Sequence, residues 1–198
     1  RNLTRGLGTG MNPELGRQAA EENRSDIAEA MKGADLIFIA AGLGGGTGTG
    51  AAPIVAETAK QTGALTLAFV TKPFAFEGSQ RDRIAQEGLV KLRDKVDALI
   101  MVPNDRIFSI ISRETPIIKA FEAIDDVLKS ALRGIVELIV SPGIINVDFA
   151  DIKTVIQDAG SAIVGMGIAS GQDRAINAVN QALNSPLLEV NPEGAKGV

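Results

Sequence analysis

Between positions 42 and 50 the chain reads Gly-Leu-Gly-Gly-Gly-Thr-Gly-Thr-Gly, six glycines in nine residues. Glycine carries no Cβ, so such a run lets backbone N–H groups come close to a ligand. A helix that follows adds the positive end of its dipole, and together they make a seat for an anion. The hydroxyls of Thr47 and Thr49 can donate to phosphate oxygens or stand near Mg²⁺. The implied chemistry is phosphate binding by Gly44, Gly45, Gly46, Thr47, Gly48 and Thr49. No Lys follows the glycines, so this is not a Walker A loop, and no starting position puts glycine at all three places of G-x-G-x-x-G. A loop this rich in glycine, without a ligand, would be costly in chain entropy. A second cluster, Gly6-Leu-Gly-Thr-Gly10, stands just before Asn12-Pro13. Gly8, Thr9 and Gly10 form either another face of the same seat or a frayed loop.

Other side chains have two readings each. Glu77 and Arg81 are spaced i,i+4 and make either an exposed ion pair, worth a few tenths of a kcal/mol, or contacts to a ligand. Phe121 and Asp125 sit one turn apart near the start of a long helix. Phe121 can stack on a base, and Asp125 can accept from the N1–H and 2-amino donors of guanine, a pair that adenine lacks. Alternatively they are a core Phe and a helix-start acid favoured by the dipole. Asn104 is a further candidate. In Asn146-Val-Asp148-Phe-Ala-Asp151 the acids are either a helix cap, worth about 1 kcal/mol, or carboxylates that orient a water and help hold a cation.

These residues need a frame. Three continuous apolar runs, Asp35–Ala41, Ala64–Val70 and Asp97–Val102, read as strands of a buried parallel sheet. Helix-period stretches near 50–62 and 79–95 lie between them, which means right-handed βαβ units and a doubly wound α/β fold. Asn12-Pro13 caps a helix running to about Met31. Pro116 opens an amphipathic helix to about Val140, roughly 37 Å long. Its apolar stripe, from Ile117 to Ile139, suggests a central strut packed from several sides. Beyond it come a short helix to about Asp158, a strand over Ile163–Ala169, a helix over Asp173–Leu183 and a loop-like last fifteen residues.

Composition excludes several chemistries. Among 198 residues there is no Cys and no His. Thiol nucleophiles, disulfides, Cys/His zinc sites and His-based triads are therefore out. The net charge of −4 argues against nucleic-acid binding by bulk charge. No apolar run reaches the roughly 18 residues of a membrane span. The absence of Cys fits the cytoplasm.

The string Gly44–Gly50 (GGGTGTG), continued by Ala51-Ala-Pro53, resembles the signature of the tubulin/FtsZ family, on its bacterial cell-division side. Gly6–Glu14, Thr71–Phe74, Phe76–Gly78, Pro103–Asp105 and Asn146–Asp151 carry the same resemblance in order, over essentially the whole chain. It implies a Rossmann-like parallel-sheet GTPase domain at 1–115, a central helix at 116–140, and an acidic loop with the start of an α+β domain at 141–198. It implies GTP/GDP with Mg²⁺ held through the phosphates. Gly46, Thr47 and Gly48 would contact phosphate, and the Gly6–Gly10 loop would sense the terminal phosphate. Glu77 and Arg81 would contact the ribose and neighbouring groups. It also implies a head-to-tail homopolymer at the cytoplasmic division ring, with membrane tethers and division regulators as partners. The loop of one subunit, with Asp148 and Asp151 and with Asn146 positioning, would reach the γ-phosphate of the next. That arrangement explains a phosphate seat with no base beside it. The resemblance further implies an internal portion of a longer protein, lacking the first nucleotide loops and the C-terminal end. Such a portion is expected to bind nucleotide weakly by itself and to be poorly soluble at its sheet edges. A fragment that caps filaments without turnover, or a Rossmann-type enzyme, are the rival readings.

Overall fold

The computed structural model describes residues 3–4, 6–109, 111–112, 114–141, 148–165 and 167–184. The helices are α1 (Pro13–Glu22), α2 (Arg24–Ala30), α3 (Thr47–Gln61), α4 (Ser79–Arg93), α5 (Ile117–Val140), α6 (Phe149–Ile156) and α7 (Arg174–Leu183). The strands are β1 (Leu36–Gly42), β2 (Leu65–Lys72), β3 (Ala98–Pro103) and β4 (Gly160–Ala162), in the sheet order β1-β2-β3-β4. β1 pairs with β2 in parallel from Leu36↔Leu65 to Gly42↔Thr71, and β3 pairs with β4 in parallel from Ala98↔Gly160 to Ile100↔Ala162. The expected Rossmann-like α/β architecture is present.

The chain divides into two compact units, Arg1–Met101 with Gln157–Ala162, and Val102–Ile156 with Ile163–Val198. In the first, Leu65 to Val70 of β2 are all buried. A strand covered on both faces is mostly apolar on both faces, which is why its sequence shows little alternation, and the polar exception, Thr66, is fully buried. Ile37, Ile39, Ala56, Ala59, Ala68, Val70, Ala85 and Leu92 form the cluster that joins the sheet to α3 and α4. Small residues of α3 let it lie close to the strands.

α1 starts where Asn12-Pro13 predicts, with Asn12 Oδ1 accepting from the N–H groups of Glu14 (3.0 Å) and Leu15 (3.3 Å). The single helix expected to Met31 is instead two. Asn23 leaves helical geometry at φ −112°, ψ 18°, and its Nδ2 donates to Ala19 O at 2.7 Å. A short amide side chain that bonds the backbone locally competes with the helix.

In the second unit α5 runs 24 residues, close to its expected bounds. Ala120, Ile124 and Ala131 are buried, whereas Ile118, Leu138 and Val140 are exposed. The helix borders an apolar groove of about 420 Å³ with Gly165, Gly167, Ala178 and Val179. Among the described residues of Ile163–Ala169 there is no strand where one was expected; the strand is β4, and it ends at Ala162. Its pairing with β3 lasts three residues, and Gly165 and Gly167 then lie against the α7 carbonyls of Ala182 and Ala178. The glycines of this stretch lie against a helix, and Ile163 and Ile168 are exposed. The last fifteen residues lie outside the described residues, apart from Asn184.

Candidate functional site

The glycine loop leaves the carboxyl end of β1 and enters the N-terminus of α3, the place where open α/β sheets bind ligands. Leu43 N–H donates to Thr71 O at 2.9 Å, which fixes the loop to the end of β2. Gly44 turns with φ +95°, and its N–H donates to Thr49 Oγ1 at 2.9 Å. Thr49 is buried, so its acceptor serves the loop itself. α3 has no side-chain cap and no acidic residue in its first turn. Its leading N–H groups have no intrahelical partner, and the dipole end there is not neutralised by its own sequence.

The second glycine cluster is brought to the first. Thr9 Oγ1 lies 3.4 Å from Thr47 Oγ1. A Cβ on Gly46 would overlap Thr9 Oγ1 and come within 2.7 Å of both Asn12 N and Asn12 O. Glycine at 46, 48 and 50 is demanded by packing: a Cβ would meet the loop at Thr9–Asn12, the Gly42 carbonyl and the Pro13 carbonyl respectively. Gly8, Gly10 and Gly45 differ, because a Cβ there would have no heavy atom within 4 Å. Their backbone faces open space, and that is where a ligand has room. Gly10 and Gly44 are in addition left-handed, at φ +58° and +95°, so the glycine content has causes in backbone turn and in packing besides the close approach that sequence reasoning weighed.

Glu77 precedes α4, and Arg81 lies in its first turn. Arg81 Nη1 donates to Glu77 Oε2 at 2.5 Å, and Phe74 N–H donates to Glu77 Oε1 at 2.9 Å. The i,i+4 ion pair is thus formed, with Glu77 mostly buried and Arg81 more open. A Cβ on Gly44 would stand 3.0 Å from Arg81 O, so the start of α4 borders the glycine loop. Lys72 pairs with Asp82 at 3.2 Å close by. A separate cleft of about 360 Å³ lies among α1, α3 and α4, and of the glycine loop only Thr49 and Gly50 line it.

The remaining candidates belong to the second unit. Phe121 and Asp125 are both exposed on one face of α5. Asn104 follows β3 in a 3₁₀ turn and is 6% exposed. Its Oδ1 is buried without a hydrogen-bond partner among the described residues. A buried acceptor left unmade costs about 1–3 kcal/mol, so it marks a place where a donor is wanted.

Asp148 and Asp151 form a reciprocal cap at the start of α6. Asp151 N–H donates to Asp148 Oδ1 at 2.9 Å, and Asp148 N–H donates to Asp151 Oδ2 at 3.3 Å. Each carboxylate keeps an oxygen outside these two bonds, and both residues are exposed. Asn146 lies outside the described residues. Among the described residues no group of three or more Asp or Glu side chains is placed to hold a metal ion.

Residues 1–112 match the family model for the Tubulin/FtsZ family, GTPase domain. The chain belongs to the tubulin/FtsZ family. Residues 160–198 match the FtsZ family, C-terminal domain. The solved "FtsZ dimer, empty" of M. jannaschii is 50% identical, with TM-score 0.89, over 94% of this chain and 54% of that one. CetZ2 of Haloferax volcanii, solved as a GTPγS-bound protofilament, is 26% identical with TM-score 0.69, over 84% of this chain and 49% of that one. CetZ of Methanosaeta thermophila, at 24% identity and TM-score 0.73 over 90% of this chain and 50% of that one, shares the fold. The chain spans about half the length of these solved relatives.

Proposed function

We propose that this chain is the nucleotide-binding and acid-bearing part of an FtsZ-type GTPase that polymerises head to tail. The observation that carries the reading is the glycine loop, held between β1 and α3 with Gly8, Gly10 and Gly45 facing open space. Residues 1–115 serve as the GTP-binding domain, 116–140 as the central helix, and 141–198 as the acidic loop with the start of the C-terminal domain. The amides of Gly45 to Thr49 and the Gly8–Gly10 loop hold the phosphates of GTP or GDP, and Gly44, whose N–H is held by Thr49 Oγ1, turns the loop. Glu77 and Arg81 contact the ribose and its surroundings. Phe121 stacks on guanine, Asp125 accepts from its N1–H and 2-amino group, and the unpaired Oδ1 of Asn104 accepts a further donor. Mg²⁺, carried by phosphate oxygens, would supply charge neutralisation in the transition state.

Hydrolysis takes place between subunits. Asp148 and Asp151 of one subunit, with Asn146, orient and polarise the water that attacks the γ-phosphate held by the next. Water attack on phosphate needs positioning and charge stabilisation more than covalent chemistry, so acids and backbone amides suffice. A contact of unlike surfaces that does not close on itself generates a filament. We place the assembled protein in the cytoplasm at the division site. The M. jannaschii relative's solution as a dimer supports self-association.

The test is GTP hydrolysis per protomer as a function of protein concentration, with Asp151→Ala as control. A rate that rises above a threshold concentration and collapses in the variant supports the shared site. A rate per protomer independent of concentration, or unchanged in the variant, sinks it. The formed capping pair at Asp148 and Asp151 favours one other reading, in which the acids only start a helix and the chain caps filaments without turnover. Substoichiometric block of filament growth would identify that case.

A further inference from the structure

Lys72 ends β2 and takes no part in the proposed nucleotide contacts. Side chains alternate along a strand, so Lys72 shares a face with Ala68 and Val70. Those two belong to the core cluster that also holds Ala85 and Leu92 of α4. A lysine on that face is out of keeping with its neighbours, and its side chain is only 18% exposed. Withdrawing an ammonium from water is costly unless it is paired. Here Nζ stands 3.2 Å from Asp82 Oδ1, in the first turn of α4. Among the described residues no other ion pair joins β2 to α4.

The start of α4 needs such a tie. Its N-cap is Gly78, at φ +100°, which offers no side-chain cap. The N–H groups of Arg81 and Asp82 both donate to Gly78 O, at 3.1 and 3.3 Å. The Glu77–Arg81 pair and the bond from Phe74 N–H to Glu77 close the same turn upon itself. None of these reaches the sheet, and Lys72 does. The glycine loop meets the turn at this place. Leu43 N–H is held by Thr71 O, and a Cβ on Gly44 would stand 3.0 Å from Arg81 O and 3.1 Å from Pro73 Cγ. Residues 43–44, 71–73 and 81–82 therefore form one junction, all within the first unit. Lys72 lies between Thr71 and Pro73, and Asp82 follows Arg81, so the ion pair ties two sides of that junction together.

We infer that Lys72 and Asp82 form a clamp that holds the first turn of α4 against the glycine loop and so aims Glu77 and Arg81 at the sugar of the nucleotide. This rests on the proposed contact of Glu77 and Arg81 with the ribose. The clamp acts through position and not through its own strength. Asp82 is half exposed, and such a pair adds little to the stability of the fold. Without it the turn is free to fray, because a helix start carries unpaired N–H groups and Gly78 supplies no cap. A misaimed carboxylate or guanidinium forfeits a charge-assisted hydrogen bond to a sugar hydroxyl, a loss of about tenfold or more in affinity. Lys72 and Asp82 are positioning residues in this scheme.

Two readouts on the whole chain test it. Amide exchange reads the clamp. The affinities for GDP and for 2′,3′-dideoxy-GDP, which lacks both sugar hydroxyls, read its consequence. Lys72→Met keeps the length of the side chain and suits the apolar face. It should speed exchange at Arg81, Asp82 and Arg83 about fivefold and leave the amides from Leu89 onward unchanged. GDP affinity should fall about tenfold and dideoxy-GDP affinity about twofold or less, so the preference between them shrinks. Lys72→Arg should restore both readouts. Asp82→Asn also removes an acid that the helix dipole favours, so it is combined with Lys72→Met. The two effects on exchange do not add in a clamp, whereas a dipole effect alone adds in full. Unchanged exchange in Lys72→Met, or full additivity, overturns the clamp. An equal loss of affinity for the two nucleotides overturns the aiming of the sugar contact. Should the unsubstituted chain show no preference for GDP, or bind neither nucleotide, the reading of Glu77 and Arg81 fails and the aiming with it, while exchange still decides the clamp.

Discussion

Gly45 and Gly46 are adjacent in one loop, yet they are glycine for opposite reasons, and a pair of alanine substitutions separates them. At Gly46 the new methyl would overlap Thr9 Oγ1 and come to 2.7 Å from Asn12 N and O. The 9–12 backbone also caps α1, so it cannot give way freely. Overpacking of this kind costs about 1–3 kcal/mol. At Gly45 no heavy atom lies within 4 Å, and the backbone is not left-handed. There alanine should leave stability unchanged or raise it by about 0.4–1 kcal/mol through the unfolded chain. The same methyl would occupy the space that a phosphate oxygen needs to reach the amides. Loss of one charge-assisted hydrogen bond is worth about 1.5–3 kcal/mol, or about 10–150-fold in Kd. Urea unfolding reads the first quantity, and titration with a fluorescent GDP analogue reads the second. Gly46→Ala should lose stability, and Gly45→Ala should lose affinity alone. A Gly45→Ala chain that binds like the unsubstituted one refutes the seat, and one that unfolds as early as Gly46→Ala refutes the division of roles.

Three other outcomes follow from the geometry. Hydrogen bonds from Lys95 and then Arg24 hold the Glu57 carboxyl at about 2, against an ordinary 4.5. The unfolded chain therefore takes up this proton first, and the stabilisation, complete above about pH 4.5, drains away as pH falls toward about 2. Glu57 is over a third exposed, so solvent screening limits the effect to about 0.2–1 kcal/mol, and Glu57→Gln should flatten the loss of urea stability between pH 5 and 3. Asp148→Ala should remove a cap and cost about 1 kcal/mol, seen as faster amide exchange in α6. Asp151→Asn, which keeps the shape, should leave that exchange nearly unchanged while GTP turnover drops by about a hundredfold or more. Asn104→Ala removes an acceptor that has no partner among the described residues, so stability should not suffer from the loss of that bond, while guanine nucleotide affinity falls about tenfold.

How much of this the residues reveal depends on how local each cause is. The three apolar runs become β1, β2 and β3 within two residues of their expected ends, and β2, buried from Leu65 to Val70, is the clearest of them. Pro116 marks the start of α5 by its fixed φ and missing N–H. The break at Asn23 is harder to see, since a side-chain bond to Ala19 O competes with a helix only by a small margin. Ile163–Ala169 misleads because an apolar run with glycines suits a strand and an irregular segment whose Gly165 and Gly167 lie against a helix equally well.

The glycine loop shows why a signature can be specific even when its individual residues are ambiguous. A flexible nine-residue loop would have to be ordered by its ligand and would lose affinity in proportion. Here the fold orders it first. Gly44 takes a left-handed turn closed by Thr49 Oγ1, Gly48 lies against the Gly42 carbonyl, and Gly46 and Gly50 let α1 and its preceding loop press on the start of α3. Each of these contacts rejects any side chain, and none of them involves a ligand. What remains open, at Gly8, Gly10 and Gly45, is a backbone surface already in position and aimed by the end of a helix dipole. Preorganised donors gain more from an anion than donors that must be gathered around it. The packing glycines and the open glycines are therefore parts of one device, and a substitution in the first group should weaken binding through shape, while one in the second weakens it through contact.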